Sequence, residues 1–67
     1  MKNKLKVERA KKELTQAKLA ELAKVSRQTI NAIEANKYVP STVLALRFAK
    51  IFECSVEEIF SLEKEEE

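Results

Sequence analysis

Three side chains that can pair with the base edges of a nucleic acid lie close together near the middle of this chain. Arg27, Gln28 and Asn31 fall within one short stretch of the sequence. Arg carries several N–H donors in a fixed fork, and Gln and Asn each carry a donor beside an acceptor, which is the pattern that purine edges accept in the major groove. On a helix these positions fall on or near the outer face and the first turn. The stretch therefore predicts a surface that can read bases.

The sequence predicts five helices that would position these side chains. At three helix starts an apolar residue precedes a cap position and another follows five positions later: Leu14 with Leu19, Val25 with Ile30, and Cys54 with Ile59. This spacing is typical of the hydrophobic staple, which fixes how the chain enters a helix. The predicted caps are Thr15, Ser26, Ser41 and Ser55. The predicted helices cover residues 4–12, 15–23, 26–34, 40–52 and a last stretch from 55.

The second and third predicted helices form the unit that carries the base-reading side chains. Two short helices joined by three or four residues cross steeply and need small residues at the crossing, and Ala20 and Ala23 are small there. The residues expected in the core are Leu19, Ile30, Ile33, Leu44, Phe48, Phe52, Val56 and Ile59. We therefore predict an all-α single domain over residues 1–67 with a helix-turn-helix at residues 16–35.

Charge is divided unevenly along the chain. Residues 1–50 contain twelve Lys or Arg and four Glu, a net charge of +8, whereas residues 51–67 contain one Lys and seven Glu, a net charge of −6. The basic part suits a polyanionic partner, although solvated helix faces would give the same count. The lysines expected to form a solvated basic face are Lys2, Lys4, Lys6, Lys11 and Lys12. The acidic end at residues 63–67 is expected to fray.

Composition argues against several classes of function. The chain has no His and one Cys, so it has neither a disulfide framework of its own nor a His-based metal or catalytic site. We expect no metal and no cofactor, and Cys54 is expected to be a small buried apolar residue. The sequence has neither a Gly-rich phosphate loop nor a paired-carboxylate site, so these signatures of an enzyme are missing. Without a long apolar run or a signal-peptide pattern, no membrane contact is expected, and the cytoplasm is the expected location.

Several short motifs resemble the Xre/Cro family of helix-turn-helix regulators. The sequences "LTQ", "VSRQTI", "IEANKY" and "PSTVLAL" carry the resemblance, which extends over about residues 3–62. Compact members of the family, similar to the cytolysin-operon repressor, have about this length. The resemblance implies a five-helix, lambda-repressor-like domain with the third helix in the major groove of double-stranded DNA. It also implies a transcriptional regulator, expected to be a repressor, that binds a palindromic operator as a homodimer.

The same resemblance gives roles to individual residues. It implies base reading by Arg27, Gln28 and Asn31, as their side-chain chemistry also suggests. The residues it places against DNA phosphate are Gln16, Thr29, Asn36, Lys37 and Tyr38. It implies a structural ion pair between Arg9 and Glu34. Three turn positions that the family usually fills with Gly are Lys24, Asn36 and Glu53 in this chain, so the turn geometry there stays open.

The fifth predicted helix suggests how two copies pair. Its apolar residues offer more surface than one short helix buries inwardly, and those predicted at the dimer interface are Val56, Ile59, Phe60 and Leu62. Pairing is expected because one reading helix covers too few base pairs to select a site in a genome. The same apolar surface and the acidic end leave a second function open, an antitoxin or another module that holds a protein partner.

Overall fold

Five helices make up most of the computed structural model, which describes residues 1–67. They are α1 (Leu5–Lys11), α2 (Gln16–Ala23), α3 (Arg27–Glu34), α4 (Thr42–Phe52) and α5 (Val56–Ile59). Two-residue strands, β1 (Lys2–Asn3) and β2 (Phe60–Ser61), pair antiparallel, and the acidic end, which we expected to fray, forms a 3₁₀ turn (Lys64–Glu66). The five-helix, lambda-repressor-like prediction is confirmed, with each helix within about two residues of its predicted bounds. None of these helices has the length and apolar character needed to span a membrane.

The same turn geometry ends each of the first four helices. The first or second residue after each helix takes a positive φ without being Gly: Glu13 (55°), Lys24 (62°), Asn36 (60°) and Glu53 (55°). The following N–H then reaches back five residues, as where Val25 donates to the Ala20 carbonyl oxygen at 3.0 Å. This arrangement satisfies carbonyl groups that the end of a helix leaves without partners. The positions that the family usually fills with Gly therefore keep the left-handed geometry here, and Glu13 adds a fourth that the sequence did not indicate.

Three of these turns also begin the next helix. The residue after the left-handed position is apolar and half-buried, and it packs against the core: Leu14, Val25 and Cys54. A cap residue follows at once, and the Thr15 hydroxyl oxygen accepts the N–H of Lys18 at 3.0 Å. In the last turn the Ser55 N–H donates to the Glu58 carboxylate at 2.7 Å. One apolar side chain thus closes one helix and fixes the direction of the next, which holds α2 and α3 at a set angle.

All five helices and β2 contribute to the core, in which α2 packs against both α3 and α4. Its eleven buried residues are Leu5, Leu19, Ala20, Ala23, Ile30, Ile33, Leu44, Phe48, Phe52, Ile59 and Phe60. Every residue predicted in the core is buried except Val56, which is half-buried. The rings of Phe48 and Phe60 lie 6.2 Å apart between centroids, so β2 closes over α4. The core supports α2 and α3 from below and leaves their outer faces free.

The N-terminal segment ties the far ends of the chain together. The Asn3 side-chain nitrogen Nδ2 donates to the Ile33 carbonyl oxygen at 2.9 Å and to the Asn36 side-chain oxygen at 2.8 Å. The Lys4 N–H donates to the Ile59 carbonyl oxygen at 2.7 Å. The Arg47 guanidinium donates to the Ala23 carbonyl oxygen at 3.2 Å. These bonds hold the C-terminal ends of α2 and α3 in place.

Replacing Lys24 with Gly should raise the free energy of unfolding. A non-Gly residue at positive φ costs about 1–2 kcal/mol, of which the extra freedom of Gly in the unfolded chain removes a part, so we expect a gain of about 1 kcal/mol. Glu53→Gly should raise the free energy of unfolding for the same reason. Urea unfolding measures the change, and Glu21→Gly, in the exposed middle of α2, is the control and should lose about 1 kcal/mol. Destabilisation by Lys24→Gly would mean that this turn is not left-handed.

Candidate nucleic-acid interface

The exposed face of α3 carries the three residues predicted to read bases. Arg27, Gln28 and Asn31 are all exposed, whereas Ile30 and Ile33 on the opposite face are completely buried. The three exposed side chains line one groove together with Gln16 at the start of α2, and no apolar side chain lines it. The structure therefore brings the predicted reading residues into one polar concave surface, held by a helix whose other side is locked into the core.

The first turn of α3 is organised by its cap. The Ser26 hydroxyl oxygen accepts the Thr29 N–H at 3.1 Å, and the two hydroxyl oxygens lie 3.0 Å apart in a hydrogen bond. Thr29 is half-buried, and its hydroxyl is hydrogen-bonded to the cap residue in this structure. Its contact with DNA phosphate, which the family resemblance implies, stays a prediction.

A partly buried ion pair joins the first helix to the end of the reading helix. The Arg9 guanidinium donates to both Glu34 carboxylate oxygens, Nε to Oε2 at 2.7 Å and Nη2 to Oε1 at 3.2 Å, and a third donor reaches the Leu14 carbonyl oxygen at 2.8 Å. The Glu34 side chain is only 5% exposed. Burial alone would raise the pKa of Glu34, but hydrogen bonds from Arg9 and Gln16 outweigh it and hold that pKa below its ordinary value. The hydrogen bond with Glu34 likewise raises the pKa of Arg9.

Gln16 connects this ion pair to the reading surface. Its amide nitrogen donates to Glu34 Oε1 at 3.0 Å and to the Asn31 side-chain oxygen at 3.3 Å. An amide nitrogen has two hydrogens, so both are used within the protein. A contact from this side chain to phosphate therefore requires a change of its conformation, and the phosphate role predicted for Gln16 stays a prediction. The connection between Gln16 and Asn31 had no signal in the sequence, because no spacing rule relates positions on two different helices.

A second groove continues the polar surface toward α1. The residues that line it are Lys6, Arg9, Gln16, Asn31, Glu34 and Ala35. The Lys6 ammonium lies near enough to contribute to the lowered pKa of Glu34. The sequence grouped Lys6 with four other lysines as a solvated basic face, whereas the structure places it beside the reading surface. The sequence alone does not separate Lys6 from the other lysines, because its position beside the groove depends on how α1 packs against α3.

The loop after α3 lies outside both grooves. Asn36 has a positive φ, and its side-chain oxygen accepts the hydrogen bond from Asn3. Lys37 and Tyr38 are exposed beyond the C-terminal end of α3. Their contacts with DNA phosphate stay predictions. An exposed Lys ammonium at this end of the helix is free to pair with a phosphate on the flank of the reading surface.

Two of the four residues predicted at the dimer interface are buried within the single chain. Ile59 is 1% exposed and Phe60 is 6% exposed within the single chain, because the chain beyond α5 continues as β2 and turns Phe60 against Phe48. These two side chains are therefore core residues and offer no surface in this conformation. Val56 is half-buried, and Leu62 is 58% exposed. Of the four residues predicted at a dimer interface, only Val56 and Leu62 keep apolar surface to contribute.

The fold and the polar face of α3 together define a helix-turn-helix DNA-binding domain. A family model described as helix-turn-helix matches residues 5–59, which include all five helices. The chain belongs to this helix-turn-helix family of transcriptional regulators. It is similar over 66 residues to an uncharacterized HTH-type transcriptional regulator of Methanocaldococcus jannaschii, with 54% identity, 98% of this chain covered and 100% of that protein.

Two further relatives cover the chain nearly end to end. The uncharacterized HTH-type transcriptional regulator YgzD of Bacillus subtilis is 49% identical over 65 residues, which cover 97% of this chain and 98% of that protein. An uncharacterized HTH-type transcriptional regulator of Archaeoglobus fulgidus is 41% identical over 66 residues, with 98% and 93% covered. The family is one of transcription regulators and not of enzymes.

Proposed function

We propose that this protein is a transcriptional repressor that binds a palindromic operator as a homodimer, with α3 of each copy in the major groove. The observation that carries the proposal is the exposed row of Arg27, Gln28 and Asn31 on a helix whose opposite face is buried. An α-helix fits the major groove, and these side chains match the donors and acceptors of purine edges. Repression needs only that the bound protein occupies the site that the transcription machinery would use.

The charge distribution supports the proposed orientation on DNA. The N-terminal part, which contains α1 to α4 up to residue 50, has a net charge of +8, and the remainder has −6. Phosphates attract the basic part and repel the acidic end, so the end that carries Leu62 would point away from the duplex. That end is then free to meet a second copy across a two-fold axis. Two reading helices about 34 Å apart would contact successive major grooves on one side of the duplex.

Selection of bound duplexes from a random library tests the proposal. We expect an enriched consensus made of two inverted half-sites about one helical turn apart, because the two-fold symmetry of a dimer is copied into its site. Transcription in vitro from a promoter that contains this consensus should fall when the protein is added. Equal affinity for every duplex would overturn sequence-specific binding, and increased transcription would overturn repression.

Arg27→Ala and Lys37→Ala should weaken DNA binding in different ways. Arg27→Ala removes a base contact, so it should lower the discrimination between the consensus and its variants by about 1–3 kcal/mol. Lys37→Ala removes a phosphate contact, so it should weaken all duplexes alike and reduce the salt slope by about 1. Titrations of labelled duplexes at several salt concentrations separate the two effects. Identical behaviour of the two variants would contradict the assigned roles.

Leu62→Glu should dissociate the proposed dimer. A charge at the centre of an apolar contact is costly to bury, and Leu62 is the most exposed of the apolar residues near α5. Sedimentation velocity should show a monomer for this variant and a dimer for the native chain, and operator affinity should fall at least tenfold. Val43→Glu, at an exposed position of α4, is the control and should remain a dimer. A Leu62→Glu variant that still dimerises would place the interface elsewhere.

An antitoxin or another protein-holding role is the second candidate, and one observation favours it. Val43 and Leu46 form an exposed apolar strip on α4, away from the α3 groove. Such a strip can hold a protein partner while α3 stays available for DNA, so the two functions are compatible. Purification from its own cells with a second protein in fixed stoichiometry would support this role. Recovery as a homodimer alone would count against it.

A further inference from the structure

We infer that Gln16 fixes the orientation of the Asn31 amide, so that Asn31 acts as a hydrogen-bond donor to the base edge and discriminates against cytosine. The inference rests on the proposed function for the presence of DNA. The orientation of the amide, however, follows from contacts within the chain alone. It is set by a line of hydrogen bonds that begins at the buried ion pair and ends on the reading surface.

The first step is the orientation of Gln16. The Glu34 carboxylate is held ionised by two hydrogen bonds from Arg9, at 2.7 and 3.2 Å. An ionised carboxylate accepts hydrogen bonds and cannot donate them. The Gln16 atom that lies 3.0 Å from Glu34 Oε1 must therefore be the amide nitrogen, as the structure has it. Turning the Gln16 amide over would bring two oxygens together and leave a buried carboxylate short of a donor.

The second step transfers this orientation to Asn31. The same Gln16 nitrogen lies 3.3 Å from the Asn31 side-chain oxygen. If the Asn31 amide turned over, two NH₂ groups would face each other, and neither could accept. The oxygen of Asn31 therefore faces Gln16, and its nitrogen makes no hydrogen bond within the protein. Because Asn31 is exposed in the groove that also contains Arg27, this free donor is available to a base.

The third step is the hydrogen-bond pattern of the major groove. Guanine presents two acceptors there, adenine presents N7, and thymine presents O4, whereas cytosine presents only its amino donor. A fixed donor is compatible with the first three bases and meets a second donor at cytosine. Gln16 is therefore a positioning residue: it does not have to touch the base in order to influence which base is accepted.

Matched variants of Gln16 and Asn31 test the inference. Asn31→Ala, assayed on the selected duplex and all its single-base-pair variants, identifies the base pair that Asn31 contacts. At that pair the native protein should bind cytosine on the contacted strand about tenfold more weakly than the preferred base. Gln16→Met keeps the length of the side chain and removes the donor, which frees the Asn31 amide to turn. We expect the cytosine penalty to shrink to about threefold while the ranking at every other pair is unchanged.

Replacing Asn31 with Asp should reverse the discrimination against cytosine at this base pair. In Asn31→Asp the carboxylate still accepts from Gln16, but it presents only acceptors to the groove. This variant should prefer cytosine at the same pair, since a carboxylate accepts from the cytosine amino group. A uniform loss of affinity for all duplexes in Gln16→Met would show that Gln16 acts only on phosphate. That result, or an unchanged cytosine penalty, overturns the inference.

A measurement without DNA separates this inference from the proposed function. In the NMR spectrum of the free protein, nuclear Overhauser contacts should connect the Gln16 amide hydrogens to the Asn31 side chain. Their absence overturns the inference and leaves the proposed function intact. If these contacts are present but no duplex is selected over another, the proposed function fails, and with it the discrimination against cytosine.

Discussion

Arg9→Ala should lower the free energy of unfolding by about 3 kcal/mol, because it leaves a largely buried carboxylate without its cation. The Glu34 side chain is 5% exposed and receives two of its hydrogen bonds from Arg9. A domain of this size has a total stability of roughly 3–10 kcal/mol, so this loss is a large fraction of the total. Circular dichroism during urea unfolding measures the effect.

Two controls separate the buried pair from a general effect of charge removal. Arg9→Met combined with Glu34→Leu replaces both partners with apolar groups of similar size and should recover most of the lost stability. Lys18→Ala breaks an exposed pair with Glu21 and should change stability by less than about 1 kcal/mol. A cost below about 1 kcal/mol for Arg9→Ala would contradict the structural role of the buried pair.

The same ion pair should make the fold sensitive to acid. The pKa of Glu34 is lower in the folded chain than its ordinary value of 4.5. The folded state therefore favours the charged form. Its contribution is complete above the unfolded pKa and is lost as the pH falls through the folded value. Stability should decline as the pH is lowered below about 4.5, and the decline should be smaller in Glu34→Gln, which has no proton to gain at this site. Urea midpoints between neutral and acid pH measure this difference.

The helices could be predicted because the signals that start them are local. Each of Thr15, Ser26 and Ser55 follows an apolar residue, and both members of a staple lie within six positions of sequence. The left-handed residue at Glu13 could not be predicted, since nothing about Glu indicates positive φ. Its geometry is held by backbone bonds, such as that from the Leu14 N–H to the Arg9 carbonyl oxygen at 3.0 Å. Two-residue strands at opposite ends of the chain are too short for any periodicity to reveal.

The site was predicted as a set of side chains, and the structure adds how they are connected. Arg27 and Asn31 could be placed on one face because helical spacing decides it. Gln16 could not be connected to Asn31 from the sequence, because the contact depends on the angle between α2 and α3. The surplus of apolar residues in α5 was interpreted as interface. For Ile59 and Phe60 the surplus instead fills the core, because β2 folds back over α4.

Phe48→Ala should also lower the free energy of unfolding by about 3–5 kcal/mol. Phe48 is completely buried at the centre of α4, and its ring lies 6.2 Å from that of Phe60, so the substitution opens a cavity between the helices and β2. Leu46→Ala is the matched control, since Leu46 lies on the same helix and is 57% exposed. It should change stability by less than about 0.5 kcal/mol. Equal effects of the two variants would contradict the described core.

DNA should restore much of the fold that Phe48→Ala loses. A ligand that binds only the folded state adds about 2.7 kcal/mol when present at a hundred times its Kd. The selected duplex should therefore raise the unfolding temperature of this variant as its concentration increases. Since Arg27 and Asn31 are untouched, the folded fraction should keep the native preference among duplexes. Arg27→Ala should instead leave the unfolding temperature of the free protein unchanged and alter the preference among duplexes. A changed preference in Phe48→Ala would mean that the core does more than hold α3 in position.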